Sequence, residues 1–250
     1  QLNIKPKTKT KNIKTICIGN IYIGGTGKTS LAIRINEIFS KKGIKSCFIK
    51  KFYNNQIDEQ KILQNEGKLF LSKERSKAVK EAENENYKIA ILDDGLQDRS
   101  LYCDINFVCF NTINWIGNGL TIPAGPLREK IINLKKYNNV FLNGNFENLE
   151  NLKKKILEIN SNLEIFVGKY VPTNLSEFDL NEKYLIFSGI GNHQTFVAML
   201  KESGFKIQKD LEFPDHYNYN DNDIKKILEE ANNLNCKIIT TEKDYLRSKN

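Results

Sequence analysis

A glycine-rich segment at residues 19–30, GNIYIGGTGKTS, has the residue types and spacing of a phosphate-binding loop. It follows an apolar strand and opens an amphipathic helix, so its backbone N–H groups and the helix start can converge on an anion. In such loops the lysine reaches the β- and γ-phosphates, and the hydroxyl after it binds Mg²⁺. Tyr22 stands where the strict loop pattern has its first glycine. We predict an ATP site in which Lys28 is also catalytic, formed by Tyr22, Ile23, Gly24, Gly25, Thr26, Gly27, Lys28 and Thr29.

A second candidate lies in YKIAILDDGLQDR, where an apolar strand at residues 89–92 ends in two acids, Asp93 and Asp94. Ligands of open α/β sheets bind at the carboxyl ends of the strands, so these carboxylates would face the glycine-rich loop. We predict that they hold Mg²⁺ together with the hydroxyl of Thr29. The sequence does not say which of the two acids touches the metal.

The glycine-rich loop and the two acids must be positioned by the surrounding secondary structure, and the sequence alternates strand and helix patterns. We predict a P-loop-type α/β/α sandwich with a mostly parallel sheet and a second, smaller α/β/α domain joined to it by a short β linker. The predicted domains are residues 1–165, which bind nucleotide, and residues 166–250, which contribute to the active-site cleft. Predicted strands cover residues 14–18, 46–50, 89–92, 105–110, 183–187, 205–211 and 237–240, and residues 1–12 are predicted to be a loose basic arm.

The amino-acid composition indicates what kind of partner the chain could bind and what kind of protein it is. The net charge of +8 and the pI near 9.1 suit an anionic partner, although the lysines are spread along the chain. The five cysteines lack CxxC spacing, so we expect reduced thiols, mostly buried. No apolar run is long enough to span a bilayer, and no signal peptide is visible.

Seven motifs stand in the order found in the tetraacyldisaccharide 4'-kinase family, which the chain resembles over residues 16–247. They are GNIYIGGTGKTS, IDEQKIL (57–63), DDGLQDR (93–99), GNGLTIPAGPLRE (117–129), FSGIGNHQTF (187–196), FPDHYNY (213–219) and TTEKD (240–244). The chain departs from the family pattern at Ser30, Lys51, Phe52, Ile57, Asp98 and His193.

The resemblance implies a reaction and its surroundings. It implies transfer of the ATP γ-phosphate, with Mg²⁺, to the 4'-hydroxyl of an acylated glucosamine disaccharide 1-phosphate, giving lipid IVA. Family members are peripheral proteins on the cytoplasmic face of the bacterial inner membrane. We accordingly expect an anionic membrane surface as partner, no nucleic acid, and a monomer.

The resemblance also suggests roles for residues outside the loop. It adds Glu129 to the metal site, and it places Asn20, Arg75, Gln97 and Arg128 at substrate or phosphate contacts. Arg128 could pair bidentately with a phosphate. The helical pattern around Arg75 alone favours a solvated helix face.

Asp58, in IDEQKIL, and His216, in FPDHYNY, match the acid and histidine motifs of the family and are our candidate catalytic dyad. An aspartate bonded to one imidazole nitrogen would orient the ring, leaving the other nitrogen to take the proton of the sugar hydroxyl. Taken alone, Asp58 is typical of a helix N-cap and His216 of a loop histidine.

Two other classes of protein remain open from the sequence. Membrane- or DNA-partitioning ATPases have a similar deviant loop, but they carry a second lysine where this chain has Ile23. A nucleic-acid-binding module would also be basic, but it would cluster its basic and aromatic residues.

Overall fold

The computed structural model describes residues 10, 12–53, 57–144 and 149–248, which form two compact units. One unit runs to Asn143 and resumes up to Val167, and the other takes the chain from Gly168 onward. Apart from Thr10 and Asn12, the predicted basic arm lies outside the described residues.

The larger unit is built on a seven-stranded sheet in the order β3-β2-β4-β1-β5-β6-β7. The pairs β1–β4, β1–β5, β2–β3, β2–β4 and β5–β6 are parallel. The strands are β1 (Lys14–Gly19), β2 (Ser46–Lys51), β3 (Leu69–Ser72), β4 (Ile89–Asp93), β5 (Ile105–Asn111), β6 (Asn139–Asn143) and β7 (Glu164–Gly168). The helices are α1 (Lys28–Lys41), α2 (Ile57–Glu66), α3 (Arg75–Asn84) and α4 (Leu149–Ile159), with a 3₁₀ helix at Ile131–Lys136.

Both faces of this sheet are covered, because successive strand residues point to opposite sides. On β1, Ile16 and Ile18 pack in one cluster with Leu31 of α1. Cys17, between them, packs in another cluster with Ala78 of α3. Burial on both sides explains why the central strands are apolar throughout, and it makes this unit the predicted α/β/α sandwich.

The smaller unit has a parallel three-stranded sheet in the order β10-β8-β9. Its strands are β8 (Lys183–Ser188), β9 (Lys206–Glu212) and β10 (Lys237–Thr240), and its helices are α5 (His193–Glu202), α6 (Asp221–Asn233) and α7 (Glu242–Ser248). Ile186 of β8 packs with Phe196 of α5, whereas its neighbour Leu185 packs with Ile227 of α6. This sheet is therefore also covered on both faces. A 3₁₀ helix at Leu175–Glu177 precedes it.

Short elements were missed by the sequence patterns. The structure adds strands β3 and β6 and helix α7, of four, five and seven residues. Each gives only a weak periodic pattern. Strands β3 and β6 take their places in the sheet by pairing with β2 and β5. None of the helices in the described ranges combines the length and apolar content needed to cross a bilayer.

The cysteine expectation was wrong at one pair. Cys17 on β1 and Cys103, just before β5, form a disulfide between residues 86 apart in sequence. The pairing of β1 with β5 brings their Cα atoms to 5.8 Å, a proximity that linear spacing does not reveal. Cys47, Cys109 and Cys236 are free, and burial raises the pKa of both Cys47 and Cys109 to about 12.

Candidate active site

The glycine-rich loop and the paired acids meet because their strands are neighbours. β1 and β4 pair in parallel with Ile18 opposite Asp93, so the loop after β1 and the acids after β4 leave the same sheet edge. Thr29, in the first turn of α1, donates a hydrogen bond from Oγ1 to Oδ2 of Asp93 at 3.3 Å. Two of the predicted metal-binding groups are therefore in contact.

The loop is held in shape from inside by Asn20. Its buried amide nitrogen donates to Oγ1 of Thr26 at 3.0 Å and to the carbonyl of Gly24 at 3.3 Å. Gly24 and Gly27 have φ values of 110° and 84°, a left-handed region where a side chain would be strained. Gly27 is also the N-cap of α1, so the loop turns directly into the helix start. Asn20 thus shapes the phosphate loop from its interior.

A second segment, residues 126–128, supports the outer side of the loop. The N–H of Ile23 donates to the carbonyl of Pro126 at 2.8 Å, and the N–H of Arg128 donates to the carbonyl of Ile21 at 2.7 Å. Tyr22 and Leu127 form an isolated antiparallel bridge between these two bonds. This ladder fixes the backbone of Arg128 beside the phosphate loop.

Asp94 is where two basic side chains converge. Nη1 of Arg128 lies 3.1 and 3.2 Å from the two carboxylate oxygens of Asp94, and Nζ of Lys28 lies 3.9 Å from Oδ1. Burial works to raise the pKa of Asp94, but Lys28 and Arg128 outweigh it, and the net shift is downward. Asp94 is thus an ionised carboxylate that holds both cations near the loop.

Asp93 has a partner that the sequence reasoning missed, Lys50 at the end of β2. Nζ of Lys50 lies 2.7 Å from Oδ2 of Asp93 and 2.7 Å from Oε2 of Glu59 on α2. The Lys50 side chain is only 2% exposed. Burial opposes its charge, but Asp93 and Glu59 outweigh that effect and raise its pKa. The available signal was a lysine that directly follows the apolar run CFI in the strand SCFIKK, since a lysine that is buried needs a counter-ion.

Arg75 is buried at the start of α3, so the helix-face interpretation of this residue was wrong. Its Nη2 donates to the carbonyl of Asp94 at 2.8 Å, and its Nη1 pairs with Oδ2 of Asp98 at 3.3 Å. Burial would raise the pKa of Asp98, but hydrogen bonds from Ser100 and the charge of Arg75 lower it overall. Arg75 therefore braces the turn that carries both site acids.

Gln97 and Glu129 form a third group. The amide nitrogen of Gln97 donates to the carbonyl of Asn20 at 2.9 Å and to Oε1 of Glu129 at 2.9 Å. Glu129 also accepts from Nδ2 of Asn133 at 3.0 Å and from the hydroxyl of Tyr137 at 3.2 Å. Burial and this carboxylate raise the pKa of Tyr137, which keeps the phenol protonated as a donor. Three donors thus orient the carboxylate of Glu129.

The two candidate dyad residues lie in different units. Asp58 is the second residue of α2 in the larger unit and is mostly buried. His216 follows β9 in the smaller unit, with φ at 60° and its N–H bonded to the carbonyl of Gly189 at 3.0 Å. Nδ1 of His216 lies 3.2 Å from Nη2 of Arg247 on α7, so within this unit the ring contacts a cation.

Comparison with known sequences now decides the family. A family model described as tetraacyldisaccharide-1-P 4'-kinase matches residues 2–250. The chain belongs to this family. A "Tetraacyldisaccharide 4'-kinase" from Pelagibacter ubique is 58% identical over the full 250 residues, which span 80% of that relative. One from Rickettsia bellii is 32% identical and covers 94% of this chain and 76% of the relative.

A solved member of the tetraacyldisaccharide 4'-kinase family has the same fold. The crystal structure of LpxK from Aquifex aeolicus in complex with ATP aligns with a TM-score of 0.64 at 22% identity. The alignment covers 97% of this chain and 81% of that one. The likeness in fold therefore extends over both units and not only over the glycine-rich loop.

The residues predicted for a tetraacyldisaccharide 4'-kinase metal site are only partly gathered. In the part of the chain that the structure describes, there is no cluster of three His, Cys, Asp or Glu side chains poised to hold a metal. Yet Oδ1 of Asp93 is buried without a hydrogen-bond partner among the described residues, and Thr29 adjoins the other oxygen. An unpaired buried carboxylate oxygen beside a hydroxyl fits Mg²⁺, which takes few protein ligands and prefers oxygen.

Proposed function

We propose that this chain transfers the γ-phosphate of ATP to the 4'-hydroxyl of tetraacyldisaccharide 1-phosphate, giving lipid IVA in lipid A biosynthesis. The observation that carries the proposal is the contact of Thr29 with Asp93, in a chain that matches the kinase family from residue 2 to residue 250. That contact joins the phosphate loop to the acid strand, as nucleotide triphosphate chemistry requires.

ATP binding is assigned to the loop and the start of α1. Backbone N–H groups of the glycine-rich segment and the positive end of the helix would take the phosphates. Nζ of Lys28 lies 3.9 Å from Oδ1 of Asp94, a separation that leaves the ammonium group able to reach a phosphate. Mg²⁺, held by Thr29 with Asp93 or Asp94 and approached by Glu129, would neutralise charge on the transferring group.

Arg128 and Arg75 lie at the same sheet edge as the glycine-rich loop, where we assign them roles in charge stabilisation and in positioning. Arg128 is clamped on Asp94, and its backbone is tied to the loop, so its guanidinium is preorganised. A guanidinium in this place would stabilise charge on the transferring phosphoryl group or hold the 1-phosphate of the substrate. Arg75 would act by bracing the Asp93–Asp94 turn, and Gln97 by linking Asn20 with Glu129.

Activation of the sugar hydroxyl is assigned to Asp58 and His216. One of the pair would accept the hydroxyl proton while the other orients it. The proposal requires both side chains to reach the same hydroxyl in the substrate complex. Two family motifs and the scarcity of histidine, with only two in the chain, support this assignment.

We also propose that the chain works as a monomer at the cytoplasmic face of the inner membrane. The acyl chains of the substrate stay in the bilayer, and the net charge of +8 favours an anionic surface. No nucleic acid partner is proposed, because the basic residues do not gather into one stripe of the sequence.

The test is incubation with Mg-ATP and the disaccharide 1-phosphate, followed by mass analysis of the lipid. The expected result is a gain of one phosphate on the disaccharide, dependent on ATP. Matched reactions lack the lipid, contain DNA in its place, or use Lys28→Ala. ATP hydrolysis that needs no lipid, or that DNA stimulates, with no phosphate gained by the disaccharide, would contradict the proposed reaction.

A further inference from the structure

The larger unit exposes a group of apolar side chains beside the glycine-rich loop. Leu120 and Ile122 are 52% and 54% exposed, and Ile23 in the glycine-rich loop is 47% exposed. Leu127 joins the first two, because its N–H donates to the carbonyl of Leu120 and its carbonyl accepts from Ile122. The N–H of Ile23 donates to the adjoining carbonyl of Pro126. We call Ile23, Leu120 and Ile122 the apolar patch. Apolar side chains that are exposed singly are ordinary, whereas a group on one surface indicates contact with a partner.

The loop that carries Leu120 and Ile122 holds its shape by its own contacts. The amide nitrogen of Asn118 donates to the carbonyl of Ala124 at 2.9 Å, and its amide oxygen accepts from the N–H of Leu120 at 3.1 Å. Gly125 packs so closely that a Cβ there would lie 2.5 Å from the carbonyl oxygen of Leu120. The loop is therefore ordered around its turn while it leaves two large apolar side chains exposed.

Two amphipathic aromatic side chains belong to the same surface. Tyr22 precedes Ile23, and its ring adjoins Gly117, where an added Cβ would lie 3.6 Å from Cε2. Trp115 is half-buried, with its ring centroid 4.7 Å from that of Phe110. Tyrosine and tryptophan have an apolar body and a polar tip, and they are enriched where proteins meet the boundary between lipid tails and headgroups.

The charges of this segment suit an anionic surface. Residues 112–127 carry no charged side chain, so the loop can enter an apolar medium without burying a charge. Just beyond the loop, Lys130 is exposed. Asp94 is bound by Arg128, and Glu129 accepts from three donors, so both carboxylates already have donors opposite them. An uncharged apolar loop that ends in a cation is complementary to a bilayer with anionic headgroups.

We propose that the apolar patch is a membrane-docking surface, from which Leu120 and Ile122 enter the headgroup region of an anionic bilayer. The inference rests on the proposed function in one respect, since an acceptor whose acyl chains stay in the bilayer requires the phosphate loop to face the membrane. The patch meets this requirement, because Ile23 belongs to the glycine-rich loop itself. A second copy of this chain is the alternative occupant.

Sedimentation of the full chain with phosphatidylglycerol vesicles tests the surface. The variant Leu120→Ser with Ile122→Ser removes apolar area and leaves the net charge unchanged. We expect its partitioning into the vesicles to fall roughly tenfold or more, at low and at high salt, because salt does not screen an apolar contact. The matched control is Ile38→Ser with Leu228→Ser, on α1 and α6, since these residues are 42% and 50% exposed. The control should bind as the wild type does.

Trp115 is the only tryptophan of the chain, so its fluorescence reports on this loop. On vesicle binding we expect its emission to shift to shorter wavelength and to be quenched by phospholipids brominated in their acyl chains. Both signals should decrease with binding in the variant Leu120→Ser with Ile122→Ser. The affinity of this variant for ATP should stay at the wild-type value, which shows that it is folded, since neither residue belongs to the assigned ATP site.

Vesicle binding that the double substitution leaves unchanged, or that leaves Trp115 unquenched, would overturn the proposal. A wild-type chain that does not bind the vesicles would overturn it as well. Self-association in size-exclusion chromatography that the substitution abolishes, with vesicle binding kept, would make a second copy the occupant instead. The vesicles contain no disaccharide and need no ATP. A chain that docks through this surface but phosphorylates no lipid would therefore keep the docking surface and lose the proposed function.

Discussion

Nζ of Lys50 lies 2.7 Å from Oδ2 of Asp93, and the two side chains are only 2% and 1% exposed. The same ammonium group lies 2.7 Å from Glu59, the neighbour of Asp58 on α2. One buried cation therefore ties the acid of the phosphate site to the helix that carries a candidate catalytic residue. Removing it would leave a buried carboxylate without its main counter-ion.

We expect Lys50→Met to lower the free energy of unfolding by about 3–5 kcal/mol, because breaking a buried ion pair strands a charge. Lys51→Met is the matched control, since Lys51 follows on the same strand and its Nζ lies 5.5 Å from the ring centroid of Tyr53. The control should cost less than about 1 kcal/mol. Urea denaturation measures both, and equal losses would contradict the assigned role of Lys50.

The buried pair of Lys50 and Asp93 also predicts that the stability contributed by Lys50 changes little with pH. Because the net effect of Asp93 and Glu59 is to raise the pKa of Lys50, its contribution is fully present below the ordinary lysine pKa. It is lost only as pH rises through the elevated value. The stability difference between wild type and Lys50→Met should therefore stay constant from about pH 6 to about pH 9. A difference that shrinks within that window would argue against a charged Lys50.

Lys28→Ala should abolish transfer while leaving the fold intact. Lys28 is at the helix start and contributes charge to the site more than packing, since its Nζ lies at a long 3.9 Å from Oδ1 of Asp94. Loss of one charge-stabilising group costs roughly 10²–10³ in kcat. Lys41→Ala, in the last turn of the same helix, is the control and should keep full turnover. Normal turnover by a folded Lys28→Ala protein would contradict the assignment of residues 19–30 as a phosphate-binding loop.

Arg128→Gln should move the acid limb of the activity profile to higher pH. In the wild-type protein the pKa of Asp94 lies below its usual range, because Lys28 and Arg128 outweigh the effect of burial. Without Arg128 this pKa rises, so protonation of Asp94 begins at a higher pH as the solution is acidified. The dependence of kcat/KM on pH measures the shift, and exposed Arg99→Gln serves as control. An unmoved acid limb would show that Asp94 does not control it.

Replacing Asp58 or His216 should lower turnover by roughly a hundredfold or more, with little change in ATP binding. The double replacement should cost much less than the product of the two, because the residues act as a unit. Asp221→Ala, at the exposed start of α6, is the matched control. If both single variants keep full turnover, or if their effects multiply, the dyad is wrong. The base would then be sought at Asp93 or Asp94.

Binding to anionic vesicles should be weak and should decrease as salt is added. The chain carries a net charge of +8, and interactions between exposed charges are screened within about 10 Å at 0.1 M salt. Sedimentation with anionic and with neutral vesicles, at low and high ionic strength, measures the effect. No binding to anionic vesicles at low salt would mean that the basic surface is not a docking site.

Much of the candidate phosphate site could be predicted from the sequence, because its parts are local. The loop GGTGKT encodes its own turn through glycine, and the apolar strands before it and before Asp93 mark where each group leaves the sheet. Burial on both faces makes parallel strands apolar throughout, which the composition of β1 and β4 reveals. The fold class and the ATP loop followed from these patterns and from the family motifs.

Only the tertiary structure decided the partners of the site residues. Lys50 meets Asp93, Cys17 meets Cys103, and Arg75 turns inward, because strand order and register bring distant segments together. Hydrophobic periodicity fixes which face a residue takes, but not which distant charge stands opposite. The contact of Arg247 with His216 is of this kind, since 31 residues separate them and no local pattern links helix α7 to a loop histidine.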